Sequence, residues 1–257
     1  MGLGRVVFIG AGPGAADLIT LRGARRLAQA QVVLFDALTD PQLREFAPLA
    51  KWVDVGKRGF SDATGQATID AMLVRFARQH QVVVRLKGGD PSVFGRLEEE
   101  LQALAAAGIE CEVVPGVTAA IAAAADTRRP LTRRGSGRSV SLSTAMTQSG
   151  RLQAGQRADT EVFYMAGRQL AALSRRLQAA GWPAATPVCV VSRAGWPDVL
   201  ASDHDVAGLG AAAMLHAGRP TVVTVGVGAS AIPMRPTQAT PVPAITHPQA
   251  AMAVPAT

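Results

Sequence analysis

The chain has 257 residues, 48% of them apolar and only 18% charged, with a mean hydropathy of +0.19. That apolar content excludes global disorder, the missing glycine period excludes a collagen-like repeat, and a core in one large or two modest domains needs no disulfides. Twenty-six basic against 19 acidic residues give +7, and among the basic ones only Lys51, Lys57 and Lys87 are lysines. Arginine suits carboxylates and phosphates, so either an anionic ligand or a GC-rich codon bias accounts for the excess. Aromatics are only 4%, and without a dense basic stripe or a recognisable motif no nucleic-acid partner is expected.

No membrane span is expected either. The most apolar stretch, Val117–Ala125, is interrupted by Thr118 and closed by Asp126, short of the ~18–20 residues a span requires. Arg5 before VVFIGAG makes too short a run for a signal peptide. The two lone thiols, Cys111 and Cys189, fit a reducing compartment, and the chain is expected in the cytoplasm.

Apolar, β-branched runs predict strands over Val6–Ile9, Val32–Phe35, Val82–Leu86, Glu112–Val114, Val140–Leu142, Glu161–Tyr164, Val188–Val191 and Thr221–Val225. Helical spacing appears at Ile69, Met72, Leu73 and Phe76, and again at Leu97, Leu101 and Leu104 before Gly108. Leu170, Leu173 and Leu177 mark a further helix, stopped by Gly181 and Pro183. Alternating strands and helices predict α/β layers with buried sheets. The basic, turn-rich segment DTRRPLTRRGSG from Asp126 places a boundary between two α/β halves, 1–127 and 128–230. Beyond about Ala231 the chain turns to Pro, Ala and Thr, and residues 231–257 read as a disordered tail.

The first strand runs into Gly10-Ala11-Gly12-Pro13-Gly14-Ala15. Glycines there permit a sharp turn and a close backbone approach to a ligand. Alone, the segment equally fits a dinucleotide fingerprint, with Asp36 as the ribose acid, or a tight turn without a ligand. A second glycine element, Lys87-Gly88-Gly89-Asp90, follows another strand, where Asp90 adds an acceptor, and a third exit reads Val114-Pro115-Gly116-Val117-Thr118. A dinucleotide fold has no need of the second loop. Three exits at the carboxyl edge of one sheet predict a crevice for a small, polar, partly nucleoside ligand.

GAGPG, Val55-Gly56-Lys57-Arg58, RLKGGDPSVFGR, VVPGVTAAIAA and Pro130-Leu131-Thr132 stand in the order and spacing of the uroporphyrinogen-III C-methyltransferases. The chain thus resembles the tetrapyrrole methylase family from about Arg5 to Gly226. The resemblance implies two α/β domains with S-adenosyl-L-methionine in the cleft between them, usually in a homodimer. It also implies methylation of uroporphyrinogen III at C2 and C7, giving precorrin-2 for siroheme or cobalamin and leaving S-adenosyl-L-homocysteine. Cofactor contacts carry over to Pro13, Gly88, Gly89, Asp90, Val93, Thr118, Ala119, Met165 and Ala194. Asp36 is the implied proton acceptor and Lys57 the implied donor. The substrate carries eight carboxylates, and Arg128, Arg129, Arg133 and Arg134 are the expected contacts.

Several positions depart from the family pattern. Leu97 and Glu98 replace two glycines of Gly-Arg-Gly-Gly-Glu-Glu, Ala15 replaces the Asp of Pro-Gly-Asp, and Ala166 stands before Gly167 in the Tyr-Met-Gly segment. Arg133 and Met146 each replace a histidine, Ala145 replaces a glycine, and Ala194 replaces the Asn of Glu-Asn-Gly. Cofactor motifs are better kept than substrate motifs, so a methylase acting on a later precorrin is the alternative. A flavin- or NAD-binding oxidoreductase and a non-catalytic binder are the further rivals. His80, His204, His216 and His247 lack ligand spacing and no metal is expected; GxSxG and P-loop motifs are missing.

Overall fold

The computed structural model describes residues 2–56, 65–145 and 158–232. Two five-stranded sheets organise it. The first holds β1 (Arg5–Gly10), β2 (Val32–Phe35), β3 (Lys51–Asp54), β4 (Val82–Lys87) and β5 (Cys111–Val114), in the order β3-β2-β4-β1-β5. All of its pairings are parallel. Alternate residues of each strand serve opposite faces. Val6, Phe8 and Leu34 pack with Ile69, Leu73 and Phe76 of α2 (Gln66–Gln79) and Leu104 of α3 (Leu97–Ala106), whereas Val7, Ile9 and Val84 pack with Leu27 of α1 (Leu21–Leu27). Both faces are therefore covered, which is why the strands read as continuous apolar runs.

The second sheet holds β6 (Val140–Thr144), β7 (Thr160–Tyr164), β8 (Pro187–Ser192), β9 (Leu200–Asp205) and β10 (Thr221–Gly226), in the order β6-β7-β10-β8-β9. Only β6 and β7 run parallel; the other pairs are antiparallel. Leu170, Leu173 and Leu177 of α5 (Leu170–Ala179) cover one face over Phe163, Val190 and Val223. The other face receives Ala120, Ala122 and Ala123 of α4 (Ala119–Asp126), packed on Val162, Val191 and Val222. The small alanine side chains let α4 lie close to the sheet. Thus α4 leaves the first sheet through the Pro115–Thr118 turn and docks on the second.

The α/β architecture agrees with expectation, and each predicted strand and helix is present. Gly108 and Gly181 stop α3 and α5 with φ values of +67° and +92°, the left-handed cap that glycine accepts without strain. The sequence reading missed β3, β9, α1 and α4. Both missed strands are edges, and β9 alternates exposed and half-buried residues, so neither shows an apolar run. The expected tail lies outside the described residues except for Ala231 and Ile232.

Candidate active site

The strands β4, β1 and β5 are adjacent, so their carboxyl ends deliver three glycine turns to one place. Gly12 and Gly89 pair as an isolated bridge, with the Gly89 N–H donating to the Gly12 carbonyl at 2.7 Å and the Ala11 N–H to the Lys87 carbonyl at 2.8 Å. Asp90 ties the third turn in, since its Oδ2 accepts from the Gly116 N–H at 2.9 Å and its Oδ1 from the Ser92 N–H at 2.8 Å. A Cβ on Gly10 would lie 2.5 Å from the Gly116 Cα, so only glycine lets the turns approach this closely. Gly89 differs, for its φ is +71° and the nearest atom to an added Cβ is the Thr118 Cα at 3.9 Å. Its missing side chain leaves open space.

That space is a cavity of about 210 Å³ between the two sheets. Pro13, Gly88, Gly89, Asp90, Val93, Thr118 and Ala119 line it from the first half, and Met165 and Ala194 from the second. All nine expected cofactor positions thus converge on one cavity. The second half also contributes Tyr164, whose hydroxyl lies 2.8 Å from the Thr118 hydroxyl and whose ring tilts against Phe94 at 5.1 Å. Burial raises the Tyr164 pKa against the opposing bonds from Thr118 and the Ala120 backbone. The phenol is therefore neutral at pH 7 and presents a hydroxyl rather than a charge. Phe94, Met165 and Arg193 hold φ near +50°, an uncommon region for residues with a Cβ.

The cavity rim is bonded across the two halves. The Trp196 indole N–H donates to the Pro13 carbonyl at 3.1 Å, and the Ala15 N–H donates to the Gly195 carbonyl at 2.8 Å. Asp126, the last residue of α4, accepts from the Gly195 N–H at 2.7 Å. Arg193 stacks on Trp196 at 4.3 Å while its Nε donates to Asp198 at 2.7 Å.

Asp36 stands just past the end of β2, one third exposed, with Oδ1 accepting from Arg85 Nη2 at 2.7 Å. Arg85 and Lys87 are buried in β4, and both reach the fully buried Glu100 of α3. Burial works against the Arg85 charge, yet Asp36 and Glu100 together raise its pKa. For Lys87, burial and the nearby Arg85 cation prevail over Glu100, and its pKa is lowered. Lys57 lies outside the described residues. Arg129 is bound in bidentate fashion to Asp203 and donates to the Ala229 carbonyl at 2.9 Å. Arg133 donates to the Ser230 carbonyl. Arg128 and Arg134 are exposed, and none of the four lines the cavity.

Residues 5–207 match the family of tetrapyrrole (corrin/porphyrin) methylases. The chain belongs to that family. A uroporphyrinogen-III C-methyltransferase of Pseudomonas aeruginosa is 43% identical over 195 residues, covering 74% of this chain and 80% of that protein. A siroheme synthase of Hahella chejuensis is also 43% identical over 201 residues, covering 76% of this chain but only 43% of the synthase. Among solved structures, the uroporphyrin-III C-methyl transferase of Thermus thermophilus complexed with S-adenyl homocysteine superposes with a TM-score of 0.76 at 34% identity. That match covers 87% of this chain and 97% of the other.

Against the methylase pattern, several departures find local explanations. Leu97, in place of a glycine, packs on the core beneath α2, and Glu98 accepts from Gln102 one turn later at 3.2 Å. Ala15 makes its bond across the rim through its backbone N–H, which any residue but proline would supply. Ala145 is buried in the core under α5, and Met146 lies outside the described residues. Sequence reading did not find Leu38, Phe94, Tyr164, Arg193, Trp196 and the Pro220–Val222 segment as cavity walls. The last is invisible in sequence because β10 runs antiparallel to β7 and β8, so its start lies beside their ends. Charges at Arg85 and Lys87 inside a buried strand were the available signal for the Asp36 cluster.

Proposed function

We propose that the chain transfers methyl groups from S-adenosyl-L-methionine to C2 and C7 of uroporphyrinogen III, giving precorrin-2 for siroheme or cobalamin and S-adenosyl-L-homocysteine as by-product. The observation that carries this reading is the single cavity on which all nine expected cofactor positions converge, in a member of the methylase family. The open space beside Gly89 is a cradle that a Cβ would fill, and it suits a ligand lying against backbone. When bound, the cofactor supplies an electrophilic methyl on a sulfonium centre. The protein's own task is alignment and proton removal.

In this reading Val93, Phe94 and Met165 give the cavity its apolar wall, and Tyr164 adds a neutral hydroxyl. Asp90 shapes the loop, since both of its oxygens accept from backbone N–H groups. Asp36 takes the proton lost from carbon as the pyrrole system is restored, and Lys57 is the donor. The exposed Arg128 and Arg134 meet substrate carboxylates, whereas Arg129 and Arg133 hold the end of the second half. The enzyme works as a homodimer in the cytoplasm. Among the described residues no helix is long and apolar enough to cross a membrane.

Anaerobic incubation with uroporphyrinogen III and methyl-labelled S-adenosylmethionine, read by mass spectrometry, tests the reading. Two labelled methyls per macrocycle are expected. A second reading, methylation of a later precorrin, draws on Leu97 and Glu98 standing where the family has flexible glycines. Label appearing on precorrin-2 but never on uroporphyrinogen would select it.

A further inference from the structure

Four charged groups meet beneath the carboxyl ends of β2 and β4. Arg85 and Lys87, two apart on one strand, emerge on the same side, each 3% exposed, and Glu100 faces them from α3 at 0%. Glu100 accepts from Arg85 Nε at 2.9 Å through one oxygen and from Lys87 Nζ at 2.5 Å through the other. Arg85 Nη1 donates to the Leu86 carbonyl at 3.1 Å and the Leu34 carbonyl at 3.4 Å. Its Nη2 donates to Asp36 Oδ1 at 2.7 Å. Every guanidinium nitrogen is thus engaged, and the plane of the group is fixed on three sides.

We infer that Arg85, locked by Glu100 and Lys87, is the positioning residue for Asp36. It holds one carboxylate oxygen in place, while no protein donor to the other is seen among the described residues. The inference rests on the reading of Asp36 as proton acceptor. Stability alone is a poor reason for such a cluster, because well-packed apolar side chains of similar volume commonly replace buried ion networks without loss. What apolar replacements do not provide is a rigid donor reaching the mouth of the sheet. Arg85 spans that distance, with one end in the core and the other on a partly exposed carboxylate.

The test compares three full-length enzymes: wild type, Asp36→Ala, and the triple variant Arg85→Met, Lys87→Met, Glu100→Met. Each is measured for turnover, S-adenosylhomocysteine affinity and thermal midpoint. The triple variant is expected to fold, to bind S-adenosylhomocysteine within about threefold of wild type, and to lose about 30-fold or more in kcat with little change in KM for the macrocycle. Wild-type kcat in a folded triple variant would overturn the inference while leaving Asp36 in its role. Undiminished turnover in Asp36→Ala would instead remove the reading on which it rests. Should the triple variant fail to fold, Glu100→Gln keeps the shape and removes one charge. That change should lower kcat about tenfold and displace the pH–rate profile, and Arg85→Lys should recover part of the activity lost in Arg85→Met. An unmoved profile in Glu100→Gln counts against the inference.

Discussion

The two halves reach the same cavity by different means. The parallel sheet packs its adjacent exits backbone to backbone at Gly10, Gly12, Gly89 and Gly116, and the loop beyond β4 adds the side chains of Val93 and Phe94. The mixed sheet brings side chains, and holds Met165 and Arg193 at φ of 56° and 52° to do so. Left-handed backbone costs a residue with a Cβ roughly 1–2 kcal/mol. Glycine there would relieve that cost but would present no side chain. The first half therefore gives up side chains at its turns for close approach and aims only Phe94 from left-handed backbone, whereas the second accepts that strain at two cavity positions.

If the first half binds the cofactor through backbone, its side chains should matter to turnover rather than to affinity. Asp36→Ala is expected to lower kcat by about 10²–10⁴-fold while S-adenosylhomocysteine affinity, measured by calorimetry, stays within a few fold. A large loss of affinity would place Asp36 in the binding wall and blur the contrast. Gly89→Val should do the reverse to the wild-type balance. It puts a branched side chain into the open space and strains a turn held at φ +71°, and affinity should fall about 100-fold, or roughly 2.8 kcal/mol. Unchanged binding would mean that the ligand lies elsewhere.

The second half gives a weaker, two-sided effect. Met165→Gly should weaken cofactor binding about tenfold while the backbone strain it relieves, about 1 kcal/mol, offsets the stability lost with the side chain. A destabilised protein with intact affinity would show that Met165 serves packing instead. The smallest effect concerns His216, buried with Nδ1 2.5 Å from the Ser192 hydroxyl and Nε2 2.8 Å from the Ser202 hydroxyl. Burial, with the charges of His204 and Arg219, lowers its pKa below the ordinary 6.5. A depressed histidine favours the folded state above its unfolded pKa, and that contribution is lost as pH falls through 6.5 toward the folded value. The thermal midpoint of wild type should therefore drop on acidification through this range more than that of His216→Gln.

The same contrast governs what could be read from sequence. Glycine turns after apolar runs announce backbone exits, so the first half's contribution was legible at Gly88, Gly89 and Thr118 before any fold was known. Side chains aimed by left-handed backbone leave no such trace, and only family likeness pointed to Met165 while Phe94 and Arg193 went unread. Pairing direction was equally hidden. Pro220 and Thr221 join the wall because β10 runs against its neighbours, a fact of topology that no local pattern encodes. Arg129 and Arg133 belong to the basic segment expected to meet substrate, and no local pattern announces that Asp203 and the Ser230 carbonyl, more than 70 residues away, hold their side chains.

Helix α4 carries a consequence for how this chain could be divided or recombined. It is continuous with the first half but docks on the second, and its last residue bonds to the Gly195 turn. A gene cut after Asp126 would yield one fragment with an uncovered alanine face and another with Val162, Val191 and Val222 open to water. Neither piece would be a self-sufficient module. Exchange of halves between relatives should succeed only where α4 travels with the sheet it covers.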